Sequence, residues 1–254
     1  MPLTEAATWQ LMLDPAGRSG AANMAIDARL LAEAAASGRA VLRLYRFSPP
    51  CLSLGRNEPG ARYDRAAIAR LGIDVVRRPT GGSTVWHDHE VTYAVAAPIA
   101  LFGGLRAAYR AIHTRLAIAL RVLGVAATIA PDRRAARPPD RRSCCFAAAV
   151  GGEVLVGGRK LVGSAQVRHR DALLQHGSIL LAGSQEIVRI VSGERRVGSG
   201  ETSLQSVLGR VVSFDEVAAA VITAWDEEMT ATDLPRPPQS SMTAFSDPAR
   251  LWRH

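Results

Sequence analysis

Lys160 stands in the string Gly158-Arg-Lys-Leu-Val-Gly-Ser-Ala-Gln166, and it is the one lysine among 31 basic residues; the other 30 are arginine. Where any surface cation will do, this chain uses arginine. A compact, directable ammonium is a different tool, suited to an oxygen on which negative charge develops. Gly157-Gly158 supplies a tight turn just before it, so the lysine enters a strand and can be aimed rigidly. The plain alternative is a solvated hairpin lysine. A second string, Arg77-Arg-Pro-Thr-Gly-Gly-Ser-Thr-Val-Trp-His-Asp88, places paired glycines after a strand, where backbone can approach a ligand closely. The cysteines Cys51, Cys144 and Cys145 are too few and too unevenly spaced for a disulfide framework, and no Cys-x-x-Cys or His-x-x-x-His spacing points to zinc. Free thiols are therefore expected, one of them a possible nucleophile, with Cys51 read as core.

The elements that must position these residues follow from periodicity and punctuation. Asn23 can cap a helix through Met24, Ile26, Asp27, Leu30 and Leu31 that ends at Gly38. Val41–Phe47 alternates like a half-buried strand and stops at Pro49-Pro50, and Cys51–Leu54 reads as a short strand. A helix over 62–71, strands over Ile73–Arg77 and Val91–Ala97, and a long helix over Leu105–Leu123 follow. Glu153–Val156, Leu161–Val167 and Ala172–Leu181 read as strands, and Ser213 with Glu216 forms a capping box for a helix over 217–228. Strands and helices mix without strict alternation. The expected fold is α+β: one catalytic domain over residues 1–231 with a mixed or antiparallel central sheet flanked by helices. Residues 232–254, rich in Pro and Ser, are expected to form a loose C-terminal tail.

Taken in order, the Arg77–Asp88 string, Gly158–Gln166 and Leu174-Gln-His-Gly-Ser-Ile179 resemble the lipoate–protein ligases and their octanoyltransferase relatives, within the biotin/lipoate ligase superfamily. The resemblance runs from about Asn23 to Glu228. It implies an α/β catalytic domain with a narrow tunnel for an eight-carbon acyl chain. It assigns Lys160 to the acyl carbonyl oxygen, and the substrate to Arg78, Gly81, Gly82, His87, Asp88, Gly163, Ser164, Ala165, His176 and Gly177. Within the family, Cys145-Phe-Ala-Ala-Ala-Val-Gly-Gly-Glu153 before the lysine string is most similar to the thiol-type octanoyltransferases. The match implies Cys145 as nucleophile, with Cys144 next door in reserve. It implies transfer of octanoate from acyl carrier protein to a lysine of a lipoyl domain, such as the glycine cleavage H protein. Four positions depart from the thiol-type pattern: Ala149, Val150, Gly152 and Ser83. In such a reaction one thioester is exchanged for another and the final amide drives the sequence, so no ATP and no cofactor is expected. ATP-dependent lipoate ligation or lipoyl amidotransfer is the alternative.

Composition bounds the remaining classes. Apolar residues at 48% and charged residues at 21% fit a soluble globular chain. No apolar run reaches the roughly 20 residues that span a bilayer, and the first ten residues carry Glu5 without a basic region, so neither membrane nor signal peptide is expected and the location read is cytoplasmic. The net charge of +8 favours acidic partners. Its densest cluster, Arg133, Arg134, Arg137, Arg141 and Arg142, lies beside Pro138-Pro139 and reads as a solvated loop or a docking strip. Aromatics are 5% and unclustered, so nucleic acid is not expected.

Overall fold

The computed structural model describes residues 9–131, 151–193, 200–225, 229–235 and 237–253. Cys144, Cys145, Ala149, Val150 and the Arg133–Arg142 cluster lie outside the described residues.

In chain order the elements are β1 (Trp9–Arg18), α1 (Gly20–Ser37), β2 (Ala40–Phe47), β3 (Cys51–Leu54), α2 (Arg65–Arg70), β4 (Asp74–Arg77), β5 (Val85–His87), β6 (Glu90–Pro98) and α3 (Leu105–Val122). Then come β7 (Ala127–Ile129), β8 (Val154–Val156), β9 (Arg159–Lys160), β10 (Val162–His169), β11 (Ala172–Leu180), α4 (Glu186–Ser192), α5 (Leu204–Leu208), α6 (Phe214–Trp225), β12 (Met229–Ala231), α7 (Gln239–Ser246) and α8 (Pro248–Leu251). A six-stranded sheet in the order β10-β11-β6-β2-β1-β12 forms the centre. Its β10–β11–β6–β2 half is antiparallel, and β1 runs parallel to both β2 and β12, so the sheet is mixed. Two small sheets, β4-β3-β5 and β7-β8-β9, flank it.

The period of two along β2 and β6 sorts their side chains onto opposite faces. Leu42, Leu44, Tyr93 and Val95 pack with Ile112 and Leu116 of α3 and Val217 and Val221 of α6. Val41, Tyr45, Ala94 and Ala96 pack on the other face with Met24, Ile26 and Leu30 of α1. A third, smaller core joins the β4-β3-β5 sheet to α4 and α8 through Leu52, Leu54, Val188 and Leu251. The sheet is covered on both faces, which corrects the half-buried reading of β2: every residue of that strand except Arg46 is buried, Arg43 included.

Three further local expectations are corrected. Helix α1 begins at Gly20 with Ser19 as its cap, one turn before Asn23. The buried Asn23 amide is drawn inward instead, donating to the carbonyls of Arg18 (3.1 Å) and Arg46 (2.9 Å). Strand β1 is an element the sequence pattern does not announce, because Pro15 and Gly17 interrupt it; its pairing with β2 shifts register between Asp14 and Arg18, where a proline is tolerated. The expected loose tail carries two helices, α7 and α8, tied down by Arg77. Its guanidinium donates to the Arg250 carbonyl at 2.7 Å and to the Leu251 carbonyl, while also holding the carbonyls of Gly55 and Glu58. Helix α8 is capped by Asp247, whose carboxylate accepts from the Ala249 amide at 2.9 Å. The capping box at Ser213 and Glu216 forms in both directions, at 2.8 and 3.1 Å.

Candidate active site

Gly157 and Gly158, with φ of 55° and 76°, both adopt the left-handed conformation that a two-residue turn between β8 and β9 requires. The turn sets Lys160 opposite Leu155. Its backbone is gripped on the other side as well, since its amide donates to the Gly200 carbonyl (2.7 Å) and its carbonyl accepts from the Thr202 amide (2.9 Å). The lysine is 2% exposed, with Nζ 2.5 Å from Glu153 Oε1. Burying such an ion pair is costly, and apolar residues of equal volume often serve stability as well or better. The pair therefore points to chemistry.

From Glu153 a run of polar groups leads to the central sheet. The preceding residue, Gly152, has its carbonyl 2.8 Å from His113 Nδ1, and His113 Nε2 lies 2.7 Å from Ser164 Oγ. Ser164 Oγ is 2.7 Å from Tyr93 Oη, which accepts from Gln175 Nε2 at 3.1 Å. Burial pushes the His113 imidazole down to about 3; the Gly152 hydrogen bond opposes this and the Lys160 charge adds to it.

Ser164 also borders a narrow cleft between the central sheet and the β4-β3-β5 sheet. Gly163, Ala165, His176, Gly177 and Ser178 line one wall, and Ser53, Arg78, Val85 and His87 line the other, with Met24, Tyr45 and Thr92 between them. Gly177 makes the close approach of β10 and β11 possible: a Cβ there would sit 2.3 Å from the Gly163 carbonyl oxygen and 2.6 Å from Ser164 Oγ.

A buried hydrogen-bond network stiffens the cleft. His176 Nδ1 donates to Asp27 Oδ2 (2.8 Å), so Nε2 is left to accept from Thr80 Oγ1 (2.7 Å), and Thr80 in turn accepts from Arg78 Nε (3.2 Å). Asp27 also receives Arg43 (2.9 Å) and the Tyr45 hydroxyl (2.8 Å). Burial pushes the Asp27 carboxyl up, but the His176 hydrogen bond, the Arg43 charge and the Tyr45 hydroxyl outweigh it and hold it below the usual range. Burial pushes His176 down despite the Asp27 carboxylate. His87 stacks on Phe47 at 4.1 Å between ring centres, with Nδ1 2.6 Å from Glu90 Oε1 and Nε2 2.7 Å from Ser53 Oγ.

A family model described as the lipoyl protein ligase A/B catalytic domain matches residues 19–226. The chain belongs to the lipoyl protein ligase A/B family. An octanoyltransferase LipM from an Exiguobacterium species is 38% identical over 245 residues, covering 89% of this chain and 88% of that one. Another, from Moorella thermoacetica, is 43% identical over 183 residues, covering 69% and 66%. The fold is shared with a bi-partite lipoate protein ligase from Thermoplasma acidophilum, solved in a study of that enzyme and its E2 lipoyl domain. Its TM-score is 0.67 at 19% identity, covering 94% of this chain and 91% of that one.

Within this lipoyl ligase fold, the sequence motifs divide by position. Arg78, His87, Gly163, Ser164, Ala165, His176 and Gly177 meet at the cleft. Gly81 and Gly82 do not line it. They form the turn that Arg78 clamps through the carbonyls of Gly81 (2.7 Å) and Ser83 (2.8 Å), and the Gly82 carbonyl abuts Gly55 so closely that a Cβ on Gly55 would lie 1.8 Å from it. Asp88 faces a separate open depression with Arg46, His89 and Val211. Lys160 is not among the lining residues and is linked to Ser164 of the cleft through Glu153, Gly152 and His113. Cys51 is buried in the core, its thiol pushed well up by burial and by Asp74. Among the described residues no group of three or more His, Cys, Asp or Glu side chains is placed to hold a metal ion, and no helix is long and apolar enough to cross a membrane.

Sequence reasoning passed over Glu153 as a partner, His113, Tyr93, and the Thr80–His176–Asp27 link. Two signals were available. Glu153 and Lys160 flank one short hairpin, and His113 interrupts the apolar face of α3 between Ile112 and Leu116.

Proposed function

We propose that this protein is a cytoplasmic octanoyltransferase. It takes octanoate from octanoyl-acyl carrier protein and delivers it to a lysine of a lipoyl-domain protein through a thioester on Cys145. The observation that carries the reading is the chain's single lysine, buried, paired with Glu153 and fixed by a glycine turn beside the cleft. Relatives named octanoyltransferase LipM at 38% and 43% identity support the same transfer.

In this reading the Cys145 thiolate attacks the carrier's thioester carbonyl, and the oxygen that gains negative charge is met by the Lys160 ammonium. The proton given up by the Cys145 thiol passes to the departing carrier sulfur, the carbon–sulfur bond to the carrier breaks, and the octanoyl group rests on Cys145. The acceptor's lysine amine then attacks, the amide forms, and the Cys145 thiol is released. The octanoyl chain occupies the cleft between Gly163, Gly177 and Val85. An excess of arginine favours an acidic carrier by steering.

The test is intact-protein mass spectrometry after mixing with octanoyl-acyl carrier protein without ATP. One octanoyl adduct is expected, removed by hydroxylamine and lost in Cys145→Ser. Lys160→Arg keeps the charge but not the compact ammonium, and transfer is expected to fall by at least about a hundredfold. Labelling of a lipoyl domain only with free lipoate and ATP would replace this reading with ligation.

A further inference from the structure

We infer that His113 is a positioning residue for Lys160: it holds the Gly152 carbonyl, and through it the Glu153 carboxylate that meets the ammonium. The inference rests on Lys160 being the group that faces the acyl oxygen.

The hydrogens fix the direction of the contact. A carbonyl only accepts, so His113 Nδ1 carries the hydrogen that meets Gly152 O at 2.8 Å. Its Nε2 is then the acceptor, and the Ser164 hydroxyl donates to it at 2.7 Å. Tyr93 Oη lies 2.7 Å from Ser164 Oγ and 3.5 Å from His113 Nε2, and its oxygen accepts from Gln175 Nε2 (3.1 Å). Gln175 Oε1 is satisfied by Gln166 Nε2 at 3.1 Å. The Gly152 carbonyl thus fixes one tautomer, and the contacts at both nitrogens fix one ring orientation. Its low basicity, from burial and the nearby Lys160 charge, keeps Nε2 available as an acceptor.

Gly152 has no side chain with which to hold itself, and its φ of 89° lies in the left-handed region. The Tyr109 ring lies 3.5 Å from where its Cβ would be, an ordinary contact distance. Its conformation is set by what grips its peptide groups: its amide donates to the Ala130 carbonyl (2.9 Å) and His113 takes its carbonyl. Glu153 follows immediately, with Oε1 2.5 Å from Lys160 Nζ. A role as core filler explains His113 poorly, since the buried imidazole is bonded at both nitrogens, with Tyr109 one turn earlier packing edge-on against its ring at 4.2 Å.

Because the chain has one lysine, protein labelled with 15N and 13C in lysine gives a single side-chain signal without any assignment step. His113→Leu is expected to move that signal and to speed exchange of the ammonium hydrogens at least about tenfold, with kcat lowered about tenfold and KM little changed. His113→Gln can offer N–H to Gly152 and oxygen to Ser164, and is expected to restore most of both. Ser164→Ala, which leaves the Gly152 contact in place, is expected to leave the lysine signal where it is. A folded His113→Leu with an unchanged lysine signal and exchange rate overturns the inference; if that variant does not fold, His113→Met is read in the same way. The signal needs no substrate, so absence of octanoyl transfer in the unaltered protein would remove the proposed function without touching this readout.

Discussion

His113 also leaves a signature in the pH dependence of stability. In the folded protein its imidazole titrates at about 3 against an ordinary 6.5, chiefly because burial takes the charged form out of water. The unfolded chain therefore binds a proton near neutrality that the folded chain refuses until strongly acid pH. The contribution is fully present above pH 6.5 and is lost as pH falls from there toward 3. Between pH 7 and 5 this one group should cost the fold about 2 kcal/mol. Guanidinium unfolding followed by tryptophan fluorescence at pH 7 and 5, on the unaltered protein and His113→Gln, isolates it. His176, also pushed down by burial, acts in the same direction but is common to both proteins and cancels. The glutamine variant should lose about 2 kcal/mol less on acidification. Equal losses would refute the claim that His113 is held neutral by its surroundings.

Other substitutions test the scaffold around the cleft. Gly177→Ala forces β10 and β11 apart, because its Cβ meets backbone at 2.3 Å; a loss of about 2–3 kcal/mol and of octanoyl transfer is expected, and an unchanged melting curve would show the strands are free to shift. Asp27→Asn replaces the carboxylate that Arg43, Tyr45 and His176 all address, leaving a buried guanidinium short of its counter-charge. Denaturant unfolding should show about 3 kcal/mol less stability at pH 7. Ending the chain at Pro238 removes α7 and α8 and with them the Arg250 and Leu251 carbonyls that Arg77 holds. A fall of about 2 kcal/mol or more is expected, and unaltered stability would make these helices passengers on the domain.

Much of this was legible in the sequence because its cause is local. The Gly157-Gly158 turn and the Ser213–Glu216 capping box each depend on residues a few positions apart, whose geometry is set by steric and hydrogen-bond rules. The lone lysine stood out by composition, and the Arg77–Asp88 and Gly158–Gln166 strings carried the family. The start of α1 was misplaced because Asn23, a good cap by type, is drawn to two backbone carbonyls instead, one of them on β2. The tail read as loose because its Pro and Ser content carries no sign of Arg77, which lies 173 and 174 positions away in sequence from the carbonyls it binds. For the site, the sequence by itself determined which residue types were present and that Lys160 would enter a strand from a rigid turn. Tertiary structure alone decided that Glu153 would neutralise it, that His113 and Ser164 would join it to the cleft, and that Asp88 and the glycine pair would face elsewhere. Those outcomes depend on low-dielectric burial and on contacts between distant strands, which no local pattern encodes.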